Sequence, residues 1–101
     1  MKTYKVRVLQ SAEADIDELA DFLFENLSIE GALRYLGFMR QEVMSLSVYA
    51  GCFAEAHSSA IRSIHPKACR MVSHNHRWTY VFHIEDDVVY VDRIIPSKLL
   101  G

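Results

Sequence analysis

The sequence predicts an α+β fold in the order β-α-α-β-β-β: an N-terminal strand, an antiparallel helical hairpin, then a three-stranded antiparallel meander. Three observations carry that expectation. The chain opens on a segment in which apolar and charged residues alternate. Two stretches follow with apolar residues at steps of three and four. The last third holds two extended runs joined by Glu85-Asp86-Asp87.

In the opening segment Tyr4, Val6 and Val8 fall on one side and Thr3, Lys5 and Arg7 on the other, the mark of a strand with one solvated face. Ser11 stands where an N-cap belongs, and Glu13, Asp15 and Asp17 suit the positive end of the helix beginning there. Ile16, Leu19, Ala20, Leu23 and Leu27 form its apolar stripe, while Asp15, Asp17, Glu18, Asp21 and Glu25 cover its outer face. The pattern breaks over Asn26 to Ser28. A second helix is expected from Ile29 to Ser47, with Leu33, Leu36, Met39, Val43 and Leu46 inward and Glu30, Arg34, Arg40, Gln41 and Glu42 facing water. So short a connection makes the two helices antiparallel neighbours.

From Val48 to Pro66 periodicity is lost and Gly51, Ser58, Ser59, Ser63 and Pro66 gather, which predicts a long connection with a helical turn around Ala54 to Ala56. Connections of that length are uncommon unless they carry function or pack as part of a site. A strand from Ala68 to His74 comes next, and then a hairpin whose first strand, His76-Arg77-Trp78-Thr79-Tyr80-Val81-Phe82-His83-Ile84, is opened by Arg77 and whose second is Val88-Val89-Tyr90-Val91-Asp92-Arg93-Ile94-Ile95. Trp78, Tyr80, Phe82 and Ile84 share the side expected to meet the helices. Arg77, Thr79, Val81 and His83 are then left on the opposite side as a polar working surface.

With 101 residues the chain suits one domain over residues 1–101 and a single two-layer core, and its apolar fraction of 50% is that of a globular protein. The formal charge is -2, so no global field draws it to nucleic acid, and any anion site must be a local patch. Cys52 and Cys69 have no metal or redox spacing and read as reduced thiols of a cytoplasmic protein. No run reaches transmembrane length. His57, His65, His74 and His76 match neither a helical pair nor a finger, so no metal and no cofactor are expected, and His74 with His76 would give two ligands at most.

The cations that could act together lie late in the chain: Arg70, then His76-Arg77-Trp78-Thr79-Tyr80, then Lys98 within Pro96-Ser97-Lys98. Glu85, Asp86, Asp87 and Asp92 are close enough in sequence to engage Arg77 in surface ion pairs. His76 and His83 differ in parity along the strand and so do not point into one site.

In residues from Arg70 to Lys98, and in element order over nearly the whole chain, the sequence resembles the RelE/ParE superfamily, the toxins of bacterial type II toxin-antitoxin systems, also known as plasmid stabilisation system proteins. For the ribonuclease branch the resemblance implies cleavage of messenger RNA on the ribosome. There Arg77 stabilises the phosphorane, Lys98 neutralises phosphate, His76 or His83 moves protons, and Arg70 stands in support. Two departures favour the ParE branch, whose members inhibit DNA gyrase without cutting RNA. A single cation, Lys98, follows the last strand where ribonuclease relatives carry several, and the balance of charge is acidic. The helical hairpin is also long, as in that branch. The resemblance therefore implies a growth-arresting toxin that binds an essential target, gyrase, and is neutralised in a hetero-oligomer by a cognate antitoxin whose ordering segment covers apolar and basic surface. The alternatives are a ribosome-dependent endoribonuclease, for which alone Arg77, Arg70, Lys98 and His76 are catalytic, and an inactive relative that only binds antitoxin.

Overall fold

The alternation of Tyr4, Val6 and Val8 places those three side chains against the core, and their neighbours Lys5 and Arg7 in solvent, in the first strand, β1 (Lys5–Val8). In the computed structural model, which describes residues 2–100, there follow α1 (Gln10–Asn26), α2 (Ile29–Tyr49), a 3-10 turn (Ala50–Cys52), α3 (Ser59–Arg62), β2 (Cys69–Val72), β3 (Trp78–Glu85), β4 (Val88–Pro96) and a closing 3-10 turn (Ser97–Leu100). Met1 and Gly101 lie outside the described residues. The strands line up as β1-β4-β3-β2. β1 runs parallel to β4, Lys5 beside Val88 and Val8 beside Val91, and the other two pairings are antiparallel. The predicted α+β order is the order found, with α3 added.

Leu19, Leu23, Met39, Val43 and Leu46 are buried as their spacing requires, and they meet Tyr80, Phe82, Val89, Val91 and Ile94 of the sheet. Two expected core leucines are not there. Leu27 is 46% exposed because α1 has already ended, with Leu27 itself in an extended conformation. Leu33 is 56% exposed because the buried row of α2 runs through Ala32, Met39, Val43 and Leu46, one residue and so about 100° away. Ala12 and Ala32 are fully buried in the same core.

Ser11 does not cap α1. Leu9 occupies that position without a side-chain bond, and Ser11, inside the first turn, donates its hydroxyl to the carbonyl of Asp92 at 2.6 Å, which fastens the helix to β4. Ser28 caps α2, its oxygen accepting from the Gly31 amide at 3.0 Å.

The long connection differs most from expectation. α2 continues to Tyr49, the helical turns fall at Ala50–Cys52 and Ser59–Arg62 in place of Ala54 to Ala56, and Glu55 bridges to Cys69 at the edge of the sheet. Ile61 of α3 is fully buried with Ala68 and Val81, and Ala56, Ile64, Ile95 and Leu100 close around them. The side of the sheet away from the helices is therefore a second, smaller core. The expected open face of Thr79, Val81 and His83 is covered, and all three are buried, because a connection carrying Ile61 and Ile64 has its own apolar surface to remove from water.

The hairpin is irregular at one point. Val81 pairs with Arg93 but Phe82 pairs with Val91, so Asp92 is an extra residue in β4. The residues facing the helical core then step from Val89 and Val91 to Ile94, a change of parity that only an inserted residue allows.

Candidate functional site

The segment between β2 and β3 is a tight, self-bonded turn. The Ser73 hydroxyl donates to Asn75 Oδ1 at 2.6 Å and accepts from the Trp78 amide at 3.0 Å, while Asn75 Oδ1 also accepts from the Arg77 amide at 3.0 Å. His76 sits at its tip with φ of 63°, a left-handed conformation that histidine tolerates better than most side chains. Arg77 precedes β3 and does not open it, since the strand begins at Trp78.

Helix α2 holds this turn in place. Tyr35 Oη accepts from Trp78 Nε1 at 2.7 Å and from Asn75 Nδ2 at 3.1 Å. Glu42, expected in water, takes the His74 amide on Oε2 at 2.7 Å and the Tyr80 hydroxyl on Oε1 at 2.8 Å. Burial, and then the hydrogen bond to Glu42, push the Tyr80 phenol well above the ordinary tyrosine range, so it is held neutral and cannot serve as a base. Neither Tyr35 nor Glu42 is marked by sequence spacing, because their partners lie more than thirty residues away.

Of the four candidate site residues, the structure brings three to one end of the sheet. The Arg77 carbonyl accepts from the Ser97 amide at 2.9 Å, which puts Arg77 beside Lys98, with His76 next to it in the turn. Arg70 is apart: it pairs with Val81 in β2, four residues along from the Arg77 level, or roughly 13 Å at the usual rise of a strand. All four are exposed, and among the described residues none makes an ion pair. The acids expected to neutralise Arg77 are elsewhere. Glu85, Asp86 and Asp87 close the opposite end of the hairpin, where Asp87 meets Lys2 at 3.4 Å, and Asp92 engages His83. What remains near Arg77 is a small cationic rim of Arg77 and Lys98 with the His76 imidazole beside it.

Beside that rim, Tyr35, Phe38, Met39, Glu42, His74 and Asn75 line a mostly apolar groove of about 480 Å³ between α2 and the turn. Phe38 is 61% exposed on its wall. Asp15, expected on a solvated face, is also engaged. It accepts from Arg93 Nε at 2.8 Å and Nη2 at 3.0 Å, and from the Ile94 amide at 2.8 Å. Both thiols are free, as expected, with Cys52 exposed and Cys69 buried. No described helix is long and apolar enough to cross a membrane.

No protein-family model matches the chain, and no curated protein matches its sequence. Among solved structures it is similar to a chain described as "Chromosomal ParDE TA system from P. aeruginosa", with a TM-score of 0.77 over 93% of this chain and 96% of that one, at 18% identity. The likeness is one of fold, and the fold is the RelE/ParE-like one that the residues from Arg70 to Lys98 resemble.

Proposed function

We propose that the chain is a single toxin domain of a bacterial type II toxin-antitoxin pair, of the ParE kind. It arrests growth in the cytoplasm by binding an essential target, DNA gyrase, and is neutralised by a cognate antitoxin. The observation that carries this reading is the similarity of fold, over almost the full length of both chains, to a chain from a ParDE system. Two further features support it. The groove along α2 is an apolar surface of the kind a partner segment covers as it orders. And the rim offers two cations, Arg77 and Lys98, on a chain of net charge -2, a weak field for work against ribosomal RNA, which favours the gyrase reading.

The exposed side chain of Arg77, which makes no ion pair among the described residues, keeps the endoribonuclease as the second reading, with Arg77 on the phosphate and Arg70, Lys98 and His76 in support. One experiment separates the two: expression from a tight promoter beside Arg77→Ala, with message integrity and plasmid supercoiling followed in the same cultures. The gyrase reading requires arrest with intact message and altered supercoiling. Codon-phased cuts that vanish in Arg77→Ala would establish the ribonuclease, and the absence of any arrest would leave an inactive, antitoxin-binding relative.

A further inference from the structure

On the covered face of the sheet, away from the Arg77 rim, three groups of metal-ligating chemistry converge. His83 and Glu85 project from β3 two residues apart and so on one side, and His65 comes from the connection after α3. One potential ligand atom from each lies within 4.8 Å of the other two. We propose that His65, His83 and Glu85 bind a divalent first-row transition ion, zinc foremost, and that Asp92 is the positioning residue of the site.

Two imidazoles and a carboxylate are a zinc donor set, and a tetrahedral ion with bonds near 2.0–2.1 Å holds its donors about 3.3 Å apart. The atoms as they stand are up to roughly 1.5 Å farther apart than that, and one of the two rings must also turn. His83 is already arranged as a ligand. Its Nδ1 lies 2.7 Å from Asp92 Oδ2, and because a carboxylate only accepts, Nδ1 is the donor and Nε2 is the nitrogen left to face a metal. A carboxylate behind a ligating histidine in this way fixes the ring and raises its basicity. Asp92 is the residue that the bulge inserts, so the irregularity in β4 and the ready tautomer of His83 have one cause. Glu85 is exposed and, among the described residues, makes no ion pair that would compete for it.

His65 has to move. Its ring lies parallel to that of His83, 2° apart in plane and 3.7 Å between centroids, with Tyr90 stacked on the other side of His83 at 5.2 Å. A metal lies near the plane of an imidazole that binds it, so one ion cannot serve two rings placed face to face. His65 is half-buried in a turn and is held there by its Nδ1 accepting from the Lys67 amide at 3.1 Å. Ligation through Nε2 puts a proton on Nδ1, which releases that amide as the ring swings out of the stack. The ion then ties the connection to the sheet above Ile61, Ala68 and Val81, with one coordination position left for water or for a side chain of a partner.

The inference is independent of the toxin reading and is tested on the full chain, tag-free and stripped of metal. Zinc titrated by calorimetry is expected to bind at one ion per chain with micromolar affinity or better. Cobalt(II) in its place should give visible bands of a tetrahedral site, and zinc should shift the Lys67 amide resonance. His65→Ala and Glu85→Gln change side chains that are not fully buried, and each should lower zinc affinity at least about tenfold without loss of the folded circular-dichroism spectrum. Asp92→Asn should lower it by about 10–100-fold while retaining the cobalt bands. The double variant His74→Ala, His76→Ala should leave it unchanged. Absence of zinc binding, or binding that survives both His65→Ala and Glu85→Gln, overturns the proposal, as does binding lost only in the His74, His76 variant.

Discussion

Glu42 joins three parts of the molecule through two oxygens: the helix that carries it, the Tyr80 hydroxyl in the core, and the His74 amide of the turn beneath the cationic rim. Removing it in Glu42→Ala leaves a buried hydroxyl without its acceptor and frees the turn, and should cost about 2–3 kcal/mol, read as a fall in the urea midpoint. Tyr80 itself gives a prediction in pH. Its folded pKa is raised, by burial first, so its contribution to stability is whole below the unfolded tyrosine value near 10 and is lost as pH climbs above it. At a pH of about 11 the native protein should show the same tyrosinate absorbance as Tyr80→Phe, whereas in denaturant the parent should show one tyrosinate more. A native-state difference between the two would mean that the phenol is not held neutral. None of this was legible in the sequence. Glu42 sits at a surface position of the helical pattern, and only the tertiary placement of Tyr80 draws it inward.

At the scale of elements, what could be read was what depends on local period. Strand alternation gave β1, steps of three and four gave both helices, and the acidic turn gave the β3–β4 hairpin, each within a few residues of its end. What could not be read depends on long-range pairing. The parallel seating of β1 on β4, the inserted Asp92 and the covering of the outer face by α3 involve partners far apart in the chain, and no single stretch announces them. Asp15 shows the difference. As one of five acids on the outer side of α1 it is indistinguishable in sequence, yet it receives both Arg93 and the Ile94 amide just beyond the bulge. Hydrogen bonds to a charged group contribute about 1.5–3 kcal/mol, less where one partner is as open to solvent as Arg93, so Asp15→Ala should destabilise the fold by about 2 kcal/mol. Asp17→Ala, two residues on and outside this network, should change it by less than about 0.5 kcal/mol. Equal midpoints for the two variants in urea would show that α1 is not fastened to β4 through Asp15.

Seen whole, the molecule places its solvent-facing apolar side chains unevenly. Phe22, Ile29, Leu33, Phe38 and Met44 are all at least half exposed on the helical hairpin, whereas both faces of β3 are buried from Thr79 to His83. On the toxin reading, and with a net charge of only -2, a partner on the helical side would be held by apolar contact more than by long-range attraction. The groove beside Phe38 is closed on one side by His74 and Asn75, which begin the turn that goes on to His76 and Arg77, so a partner seated there lies next to the cationic rim. Phe38→Glu tests this on the toxin reading. The side chain is 61% exposed, so folding stability should change by no more than about 0.5 kcal/mol. Binding of the cognate antitoxin should weaken at least tenfold, about 1.4 kcal/mol, because a charge would then be buried against an apolar segment. In cells the variant should still arrest growth but escape rescue at antitoxin levels that silence the parent. Undiminished antitoxin affinity in a calorimetric titration would move the docking face away from α2, and loss of arrest together with undiminished binding would instead place Phe38 in the contact with the target.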